Sequence, residues 1–255
     1  MDMAVKLTQE RRNEIARRLI QDGRVSALEL SEGYGVSAET IRKDLMWLES
    51  RGIAQKSYGG AIAAAQALEK PFFEKATSRP EEKRRIGKAA AERIGPVGVV
   101  LVDSGSTVME AARELAARGD LSFFTNSLRT AQMLADRKCD VAMLGGVIRL
   151  PSQAASGMWA VEQLEQLHAD WAIVGTSGFL ESDGPCVESL EEAQVKRAMI
   201  RAAKRTIIVA DSAKSRCPAA VRFARWTDIS LLVTDSGMEP ETLGRLRKRL
   251  EVLAV

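Results

Sequence analysis

The sequence predicts an α/β protein with two modules, an N-terminal winged helix-turn-helix and a mainly parallel α/β domain. Two short helix patterns joined by a glycine turn, and then a glycine-tipped hairpin, predict the first module. From residue 97 onward, short apolar runs alternate with amphipathic segments, which is typical of a mainly parallel sheet with helices on both faces. A chain of 255 residues also exceeds the usual length of one domain, about 100–200 residues. We therefore predict modules over 7–62 and 81–255, joined by a linker over 63–80.

Caps and a turn define the two helices of the first module. Ser26 and Glu29 have the spacing of a capping box, in which the serine oxygen accepts a hydrogen bond from a first-turn amide. Gly35 permits the sharp turn because glycine adopts positive φ without a steric penalty. Ser37 caps the second helix, and Glu39 lies in its first turn, where a carboxylate suits the helix dipole.

The apolar residues of this region should form one small core. A preceding helix runs from Thr8 to near Gly23, the second helix of the motif ends at Gly52, and a wing follows over residues 53–61. Apolar side chains recur at helical spacing in all three helices. Those that we expect to be buried are Ile15, Leu19, Ile20, Leu28, Leu30, Tyr34, Ile41, Leu45 and Leu48.

The second helix of the motif is the predicted recognition helix. Such a helix enters the DNA major groove with its N-terminal residues against the base edges. The first 62 residues carry ten Lys/Arg and nine Asp/Glu, so DNA binding has to depend on local clusters of positive charge. The alternative, a helical hairpin that binds nothing, is disfavoured by the order of caps, turn and hairpin. The residues expected to contact DNA are Ser37, Ala38, Thr40, Arg42 and Lys43 in the helix, and Lys56, Tyr58 and Gly59 in the wing.

Six apolar runs of the second module are predicted strands, separated by predicted helices. Ligands of such sheets bind beyond the carboxyl ends of the strands. The strands are expected over 97–102, 122–125, 141–144, 171–175, 206–210 and 229–234. The helices are expected over 108–118, 128–137, 160–167, 190–204 and 241–250, with a further helix that enters at Pro80.

Polar and glycine-rich turns follow these strands. Hydroxyl residues and glycine at a helix N-terminus present amides and hydroxyl groups to an anion, so four such turns on one edge favour a phosphate or polyol pocket. Glu192 and Lys196 lie on one helix face, where they also fit an ordinary surface ion pair. The four turns are Asp103 to Thr107, Thr125-Asn126-Ser127, Gly145-Gly146 with Arg149, and Gly175 to Gly178. Asp211 to Lys214 follow the fifth strand at the same expected edge.

These motifs resemble the DeoR family of bacterial transcriptional regulators over nearly the whole chain. The N-terminal signature is carried by Val36 to Leu45, with Leu48-Glu49, Gly52 and Tyr58 to Ala61. The strand-end turns and the Glu192–Lys196 pair resemble the effector domain of the same family, in the same order. The resemblance implies a DNA-binding regulator, most often a repressor, which a phosphorylated sugar releases from its operator. It also implies an effector domain similar in fold to phosphopentose isomerases.

The resemblance assigns roles to the residues at the strand ends. Ser104, Gly105, Ser106 and Thr107 would hold the phosphate. The rest of the effector site would be formed by Thr125, Asn126, Gly145, Gly146, Ser177, Gly178, Lys196 and Lys214, with Asp103, Glu192 and Asp211 contacting sugar hydroxyls or orienting the lysines. Because operators are usually two-fold symmetric, we expect at least a homodimer, either dimer or tetramer.

Composition excludes several other classes of protein. No apolar run approaches the roughly 18–20 residues that span a bilayer, and the first residues lack a signal peptide, so we expect a cytoplasmic protein without a membrane partner. Cys139, Cys186 and Cys217 have no metal-type spacing, and His168 is the only histidine, so we expect neither a metal site nor a cofactor. Neither a Walker loop nor a dinucleotide-binding glycine motif is present.

Two other functions remain open from the sequence. The second module could be a sugar-phosphate isomerase, with Glu192, Asp211 and Lys196 as base and electrophile, because that chemistry needs a carboxylate beside a stabilising cation. The attached winged module disfavours a catalytic role, and we expect no catalytic residue. Alternatively, the second module could be an oligomerisation platform without a ligand, which the polar strand ends disfavour.

Overall fold

The computed structural model describes residues 8–51, 53–63, 71–217 and 219–255, and the chain divides into two compact units, Met1–Lys70 and Pro71–Val255. This division differs from the linker expected over 63–80, because residues 71–80 belong to the second unit. Phe72 is buried there, and its amide donates to the carbonyl of Pro151. The predictions for Gly52 and for residues 64–70 lie outside the described residues.

The first unit is a three-helix winged helix-turn-helix. Ser26 and Ser37 cap α2 and α3 by accepting from the amides of Glu29 and Thr40, and Gly35 has φ 64° at the turn, as predicted. A short first strand, which the sequence analysis did not predict, joins the wing in a three-stranded sheet of order β1-β3-β2. The elements are α1 Thr8–Asp22, β1 Arg24–Ser26, α2 Ala27–Tyr34, α3 Ala38–Ser50, β2 Ala54–Ser57 and β3 Gly60–Ala63.

The core of this unit contains most of the predicted residues. Ile15, Leu19, Leu30, Ile41, Leu45 and Leu48 are buried, and Tyr34 packs at the edge of the cluster. The side chain of Ile20 is outside the described residues. The prediction for Leu28 was wrong, since its side chain is 65 % exposed. Leu28 and Leu30 are two residues apart on α2, so they point to different faces of the helix and only one of them can face the core.

The second unit contains a seven-stranded parallel sheet of order β15-β14-β12-β9-β4-β5-β6. All six predicted strands are present, and the seventh, β15, was missed because it is a four-residue run at an edge of the sheet. The sheet strands are β4 Val97–Val102, β5 Asp120–Thr125, β6 Asp140–Met143, β9 Ala169–Gly175, β12 Ala203–Val209, β14 Leu231–Thr234 and β15 Glu251–Ala254. Short antiparallel strands outside it are β7 Val147–Arg149, β8 Ala154–Ser156, β10 Gly178–Leu180, β11 Gly184–Val187 and β13 Val221–Arg222.

Helices cover both faces of this sheet and bury an apolar cluster on each. The helices are α4 Phe72–Thr77, α5 Pro80–Glu92, α6 Ser106–Leu115, α7 Leu128–Asp136, α8 Met158–Glu165, α9 Leu190–Ala202 and α10 Pro240–Arg247, with short 3₁₀ turns at Ser212–Arg216 and Trp226–Asp228. Among the described residues, no helix is long and apolar enough to cross a membrane.

Strand register places the polar turns of the second unit side by side. Val102 at the end of β4 pairs with Ile173 of β9 on one side and with Thr125 of β5 on the other. Val209 at the end of β12 pairs with Gly175. All of these strands are parallel, so the residues that follow them meet at one edge of the sheet.

Candidate functional site

The recognition helix α3 presents a polar N-terminus. The hydroxyl of Ser37 accepts from the Thr40 amide at 3.2 Å and lies 2.9 Å from the Thr40 hydroxyl, so Ser37 is used as a cap. Arg42 contacts the carboxylate of Glu39 at 3.4 Å, with both side chains about two-thirds exposed. Such an exposed pair contributes less than about 1 kcal/mol, so it can open to release the guanidinium. Lys43 is also exposed.

A buried ionic clamp fixes α3 against α1. The carboxylate of Asp44 accepts from the Nε atoms of Arg11 and Arg12, each at 2.7 Å, and Asp44 is almost fully buried. The guanidinium of Arg12 also lies 4.8 Å from the ring centre of Trp47. Sequence analysis assigned no role to Asp44, because nothing local relates it to arginines 32 and 33 residues away.

The wing is held close to the recognition helix. The carboxylate of Glu49 on α3 accepts from the backbone amide of Lys56 at 2.9 Å. Gly59 has φ 77° at the turn, and a Cβ on Gly60 would lie 2.0 Å from the carbonyl oxygen of Val25, so both turn positions require glycine. Tyr58 is fully exposed at the tip of the wing.

A groove of about 390 Å³ separates α3 from the wing. It brings together four of the residues predicted to contact DNA, namely Ala38, Arg42, Lys56 and Gly59. The other four, Ser37, Thr40, Lys43 and Tyr58, are not among its lining residues. Two exposed apolar side chains that the sequence analysis did not select as DNA contacts, Leu28 and Met46, complete its wall.

In the second unit, a buried lysine lies at the centre of the candidate effector site. Lys196 is 1 % exposed, and its ammonium contacts the carboxylates of Asp103 and, at 3.2 Å, Glu192. Burial by itself favours the neutral amine and lowers the pKa of Lys196, but the two carboxylates outweigh it and hold that pKa above its ordinary value of 10.5. Glu192 and Lys196 therefore form a buried ion pair, and the prediction of an ordinary surface ion pair was wrong.

Arg149 extends this charge network. Its guanidinium donates to the second oxygen of Glu192 at 2.9 Å and to the hydroxyl of Ser152 at 3.3 Å. Arg149 is 9 % exposed and comes from the hairpin formed by β7 and β8. Sequence analysis noted Arg149 after the two glycines but gave it no role. Its partner is 43 residues away, which no local pattern reveals.

Asp103 connects the network to two strand ends. One carboxylate oxygen accepts from the amide of Gly175 at 2.9 Å, and the other, which is buried, has no hydrogen-bond partner among the described residues. A Cβ at position 175 would lie 3.2 Å from the carbonyl oxygen of Ser104, so the two turns are in close contact. Helix α6 begins at Ser106, beside Thr107, without a side-chain cap at Gly105.

The next strand end is polar and largely buried. Asn126 donates through Nδ2 to the carbonyl of Ala155 at 3.2 Å, whereas its Oδ1 is buried without a partner among the described residues. The hydroxyl of Thr125 accepts from the Ser127 amide at 3.1 Å. Gly146 has φ 145°, and a Cβ there would lie 2.5 Å from the carbonyl oxygen of Ser156.

Three further predicted residues contact other parts of the protein. The amide of Gly145 donates to the side chain of Gln163 at 3.0 Å. The hydroxyl of Ser177 donates to the carboxylate of Glu188. A Cβ on Gly178 would overlap the carbonyl oxygen of Cys217, which fixes the loop that follows β12 against β10. These contacts give the three residues a structural part at the same edge of the sheet.

Asp211 belongs to a second polar cluster. Arg79, which has φ 52° just before α5, reaches Asp211 at 3.5 Å, Asp235 at 3.4 Å and the hydroxyl of Ser212 at 3.0 Å. Burial alone raises the pKa of Asp235, but hydrogen bonds from Ser212 and Gly237, with Arg79 nearby, hold it below the ordinary 3.8.

Lys83 and Lys214 lie close to this cluster. Lys83 is buried and donates to the carbonyls of Lys75 and Ser78, and burial lowers its pKa, with the positive charges of Lys214 and Arg79 acting in the same direction. Lys214 is half-buried, and its ammonium has no ion-pair partner among the described residues. Sequence analysis missed Arg79, Lys83 and Asp235, although Arg79-Pro80 marks the helix entrance.

A winged helix-turn-helix unit followed by an α/β unit with a buried polar site defines a class of protein, the transcriptional regulators with a sensor domain. Comparison with known proteins agrees: residues 11–67 match the DeoR-like helix-turn-helix domain, and residues 78–236 match the DeoR C terminal sensor domain. The chain belongs to the DeoR family of transcriptional regulators.

Several relatives match over most of their length. A protein of Escherichia coli O157:H7 named as a transcriptional repressor of the aga operon is 34 % identical, with 97 % of this chain and 94 % of the relative covered. The glycerol-3-phosphate regulon repressor of Escherichia coli K12 is 30 % identical over 89 % of this chain and 90 % of its own. The repressor GlcR of Bacillus subtilis is 31 % identical, with 85 % and 84 % covered.

Solved structures resemble the chain more distantly. Ribose 5-phosphate isomerase A of Neisseria gonorrhoeae matches with a TM-score of 0.41 and 16 % identity, covering 55 % of each chain. That likeness is too low to say anything about activity. Since these three relatives, which are covered over 84–94 % of their own length, are named as repressors, the chain is a regulator, and the isomerase alternative is not favoured.

Proposed function

We propose that this protein represses transcription by binding operator DNA through its first unit, and that a phosphorylated sugar releases it by binding at the carboxyl edge of the sheet in the second unit. The observation that carries the proposal is the buried network around Lys196, beside a helix N-terminus and two unpaired acceptors. The relative named for the glycerol-3-phosphate regulon supports a phosphorylated polyol as ligand.

The phosphate would be held at the N-terminus of α6. No side chain caps this helix, so its first amides are available to an anion. Ser104, Gly105, Ser106 and Thr107 form the turn, and the hydroxyls would add donors to the amides. Lys214, whose ammonium lacks an ion-pair partner among the described residues, would supply a positive charge near the rim.

The sugar hydroxyls would meet the unpaired acceptors. Buried oxygens of Asp103 and Asn126 have no hydrogen-bond donor in the described part of the chain. A buried acceptor without a hydrogen bond costs about 1–3 kcal/mol. A polyol offers the missing donors at neighbouring carbons. In this arrangement Glu192 and Lys196 orient Asp103, with Arg149 holding Glu192 in place.

The DNA contacts would come from the N-terminus of α3 and from the wing. Arg42 has a guanidinium that reads guanine bidentately, and Lys43 and Lys56 would contact phosphates. Ser37, Ala38 and Thr40 would lie against base edges, with Tyr58 and Gly59 at the wing tip. Because a two-fold operator needs two such helices, we propose at least a dimer, which acts in the cytoplasm with its operator.

We propose that Arg79 links ligand binding in the second unit to DNA binding. This residue precedes α5 and bridges Asp211 and Asp235, which follow the sheet strands β12 and β14. Lys83, one turn into α5, holds the carbonyls of Lys75 and Ser78 at the end of α4. A ligand that contacts Asp211 or Lys214 would change these contacts. It would lower DNA affinity only if it binds more tightly to the arrangement that cannot bind DNA.

The proposal is tested by measuring the midpoint temperature of thermal unfolding in the presence of each phosphorylated sugar and, separately, of its unphosphorylated parent. A ligand at about 100 times its dissociation constant stabilises by about 2.7 kcal/mol, a rise of several degrees. We expect a rise with one ester and none with its parent. The same ester should then lower operator affinity about 5–150-fold. Turnover of the ester, abolished by Glu192→Ala, would contradict the proposal and support an isomerase, and no response to any ester would favour a ligand-free platform.

A further inference from the structure

Several large apolar side chains are exposed in and around the β7–β8 hairpin of the second unit. Val147, Leu150, Met158 and Trp159 are each more than two-thirds exposed, and Phe73 is 60 % exposed. A sixth side chain, Leu128, is 41 % exposed. Single exposed apolar residues are normal on protein surfaces, but a contiguous set marks an interaction site. We call Phe73, Leu128, Val147, Leu150, Met158 and Trp159 the hairpin patch.

Backbone contacts connect each part of the patch to the β7–β8 hairpin. Val147 pairs with Ser156 in the hairpin ladder, and Met158-Trp159 follows Ser156 by one glycine. The amide of Phe72, next to Phe73, donates to Pro151 beside Leu150.

The patch extends round the tip of the same hairpin. The amide of Leu128 donates to the carbonyl of Gln153, between the two hairpin strands. The guanidinium of Arg129 lies 4.1 Å from the ring centre of Phe73, which places one cation at the rim of the patch.

The hairpin also adjoins an open sheet edge. Strand β6 is last in the order of the seven-stranded sheet and, within the described residues, pairs only with β5. Met143 at its end is 39 % exposed, four residues before the hairpin begins at Val147. An open edge beside an apolar patch is a surface on which another chain can pack.

The size of the patch matches a subunit interface. Since one aromatic side chain alone has about 150–250 Å² of surface, the six side chains expose on the order of 600 Å². A stable interface buries about 800 Å² on each partner, and monomers rarely expose an apolar patch above a few hundred Å². Aromatic residues and methionine are also the residues enriched at the centres of interfaces.

We propose that the hairpin patch is the interface between two copies of this chain. A two-fold axis places the same residues of both copies next to each other, so charged residues near the axis would face like charges. An apolar centre with its cation at the rim avoids this repulsion and therefore suits a self-complementary contact. The inference rests on the proposed function in one respect, because a two-fold operator requires paired recognition helices. The patch supplies that pairing through the sensor unit.

The experiment measures the mass of the full chain by light scattering and its dimer dissociation constant by sedimentation equilibrium. Trp159→Ala should raise that constant about 30-fold or more, as loss of a central tryptophan does at interfaces. Val147→Lys, which places an ammonium near its symmetry mate, should give monomers at micromolar concentration. Val97→Lys is the matched control, since Val97 is a strand valine with 69 % exposure against 73 % for Val147, at the opposite end of the sheet. It should leave the mass unchanged.

Circular dichroism and stabilisation by the sugar ester, measured on each variant, separate this proposal from the proposed function. Monomeric variants that still respond to the ester support the interface. A wild-type chain that is monomeric, or variants that keep the wild-type mass, would overturn it even where the ester still binds.

Discussion

Replacing Lys196 by methionine is expected to destabilise the second unit severely. Methionine keeps the length and apolar stem of lysine but removes the charge that faces Asp103 and Glu192. Glu192 retains Arg149 at 2.9 Å, so its carboxylate stays paired. Asp103 retains only the Gly175 amide, and its other oxygen already has no partner among the described residues. The variant therefore contains a fully buried carboxylate without its cation.

Breaking a buried ion pair on one side costs about 3–5 kcal/mol. Against a total stability of about 5–15 kcal/mol, this is a large loss that still leaves a measurable folded state. The free energy of unfolding would be measured by urea titration, followed by tryptophan fluorescence, since Trp159, Trp171 and Trp226 lie in the second unit. A loss below about 1 kcal/mol would refute the reasoning.

Two further variants make the test specific to the charge. Lys204→Met removes an exposed lysine that pairs with Asp170 at 2.8 Å, and it should cost less than about 1 kcal/mol. Adding Asp103→Asn to Lys196→Met removes the uncompensated charge, so the double variant should be more stable than the sum of the single losses predicts, by about 0.5–3 kcal/mol. Strict additivity would mean that the two residues do not act as a pair.

The remaining predictions concern DNA, ligand, coupling and pH. Arg42→Ala should weaken operator binding, measured by fluorescence anisotropy, while ester binding is unchanged; Arg17→Ala on α1 is the control, and equal loss of both activities would contradict the division of roles. Thr107→Val should weaken ester binding in a thermal-shift titration and keep the protein on DNA, and unaltered release would place the phosphate elsewhere. Arg79→Ala should leave ester binding within a few-fold but reduce ester-induced release of DNA, whereas full release would exclude Arg79 from coupling. Asp235 has a folded-state pKa below 3.8, so its contribution to stability is present above that pH and is lost as pH falls through the folded-state value; the deficit of Asp235→Asn in urea titrations should therefore shrink below pH 3.8, and a constant deficit would contradict this.

The order of elements could be predicted because it depends on local chemistry. Ser26, Gly35 and Ser37 act on amides and dihedrals within a few residues, so cap and turn patterns located α2 and α3 correctly. The six main strands were found from apolar runs, which parallel strands show because both of their faces are buried. Elements without such a run were missed, among them the three-residue strand β1 and the terminal edge strand β15.

The candidate site was predicted only in part. Strand-end turns could be identified from the sequence, since carboxyl ends of parallel strands converge on one edge. The partners within the site could not, because they depend on which strands are neighbours. Leu28 shows the same limit within one helix. A leucine in an amphipathic helix is usually buried, but the direction of this side chain places it at the groove beside the wing instead.

The sequence by itself determined that this protein has a winged helix-turn-helix before a parallel α/β unit, and that polar turns follow the strands. Only the tertiary structure decided that Lys196 is buried between Asp103 and Glu192, and that Arg79 reaches Asp211 from 132 residues away. The physical reason is range. Caps and apolar periods act over a few residues, whereas buried ion pairs form between side chains that strand order and register bring together, and neither is encoded in local spacing.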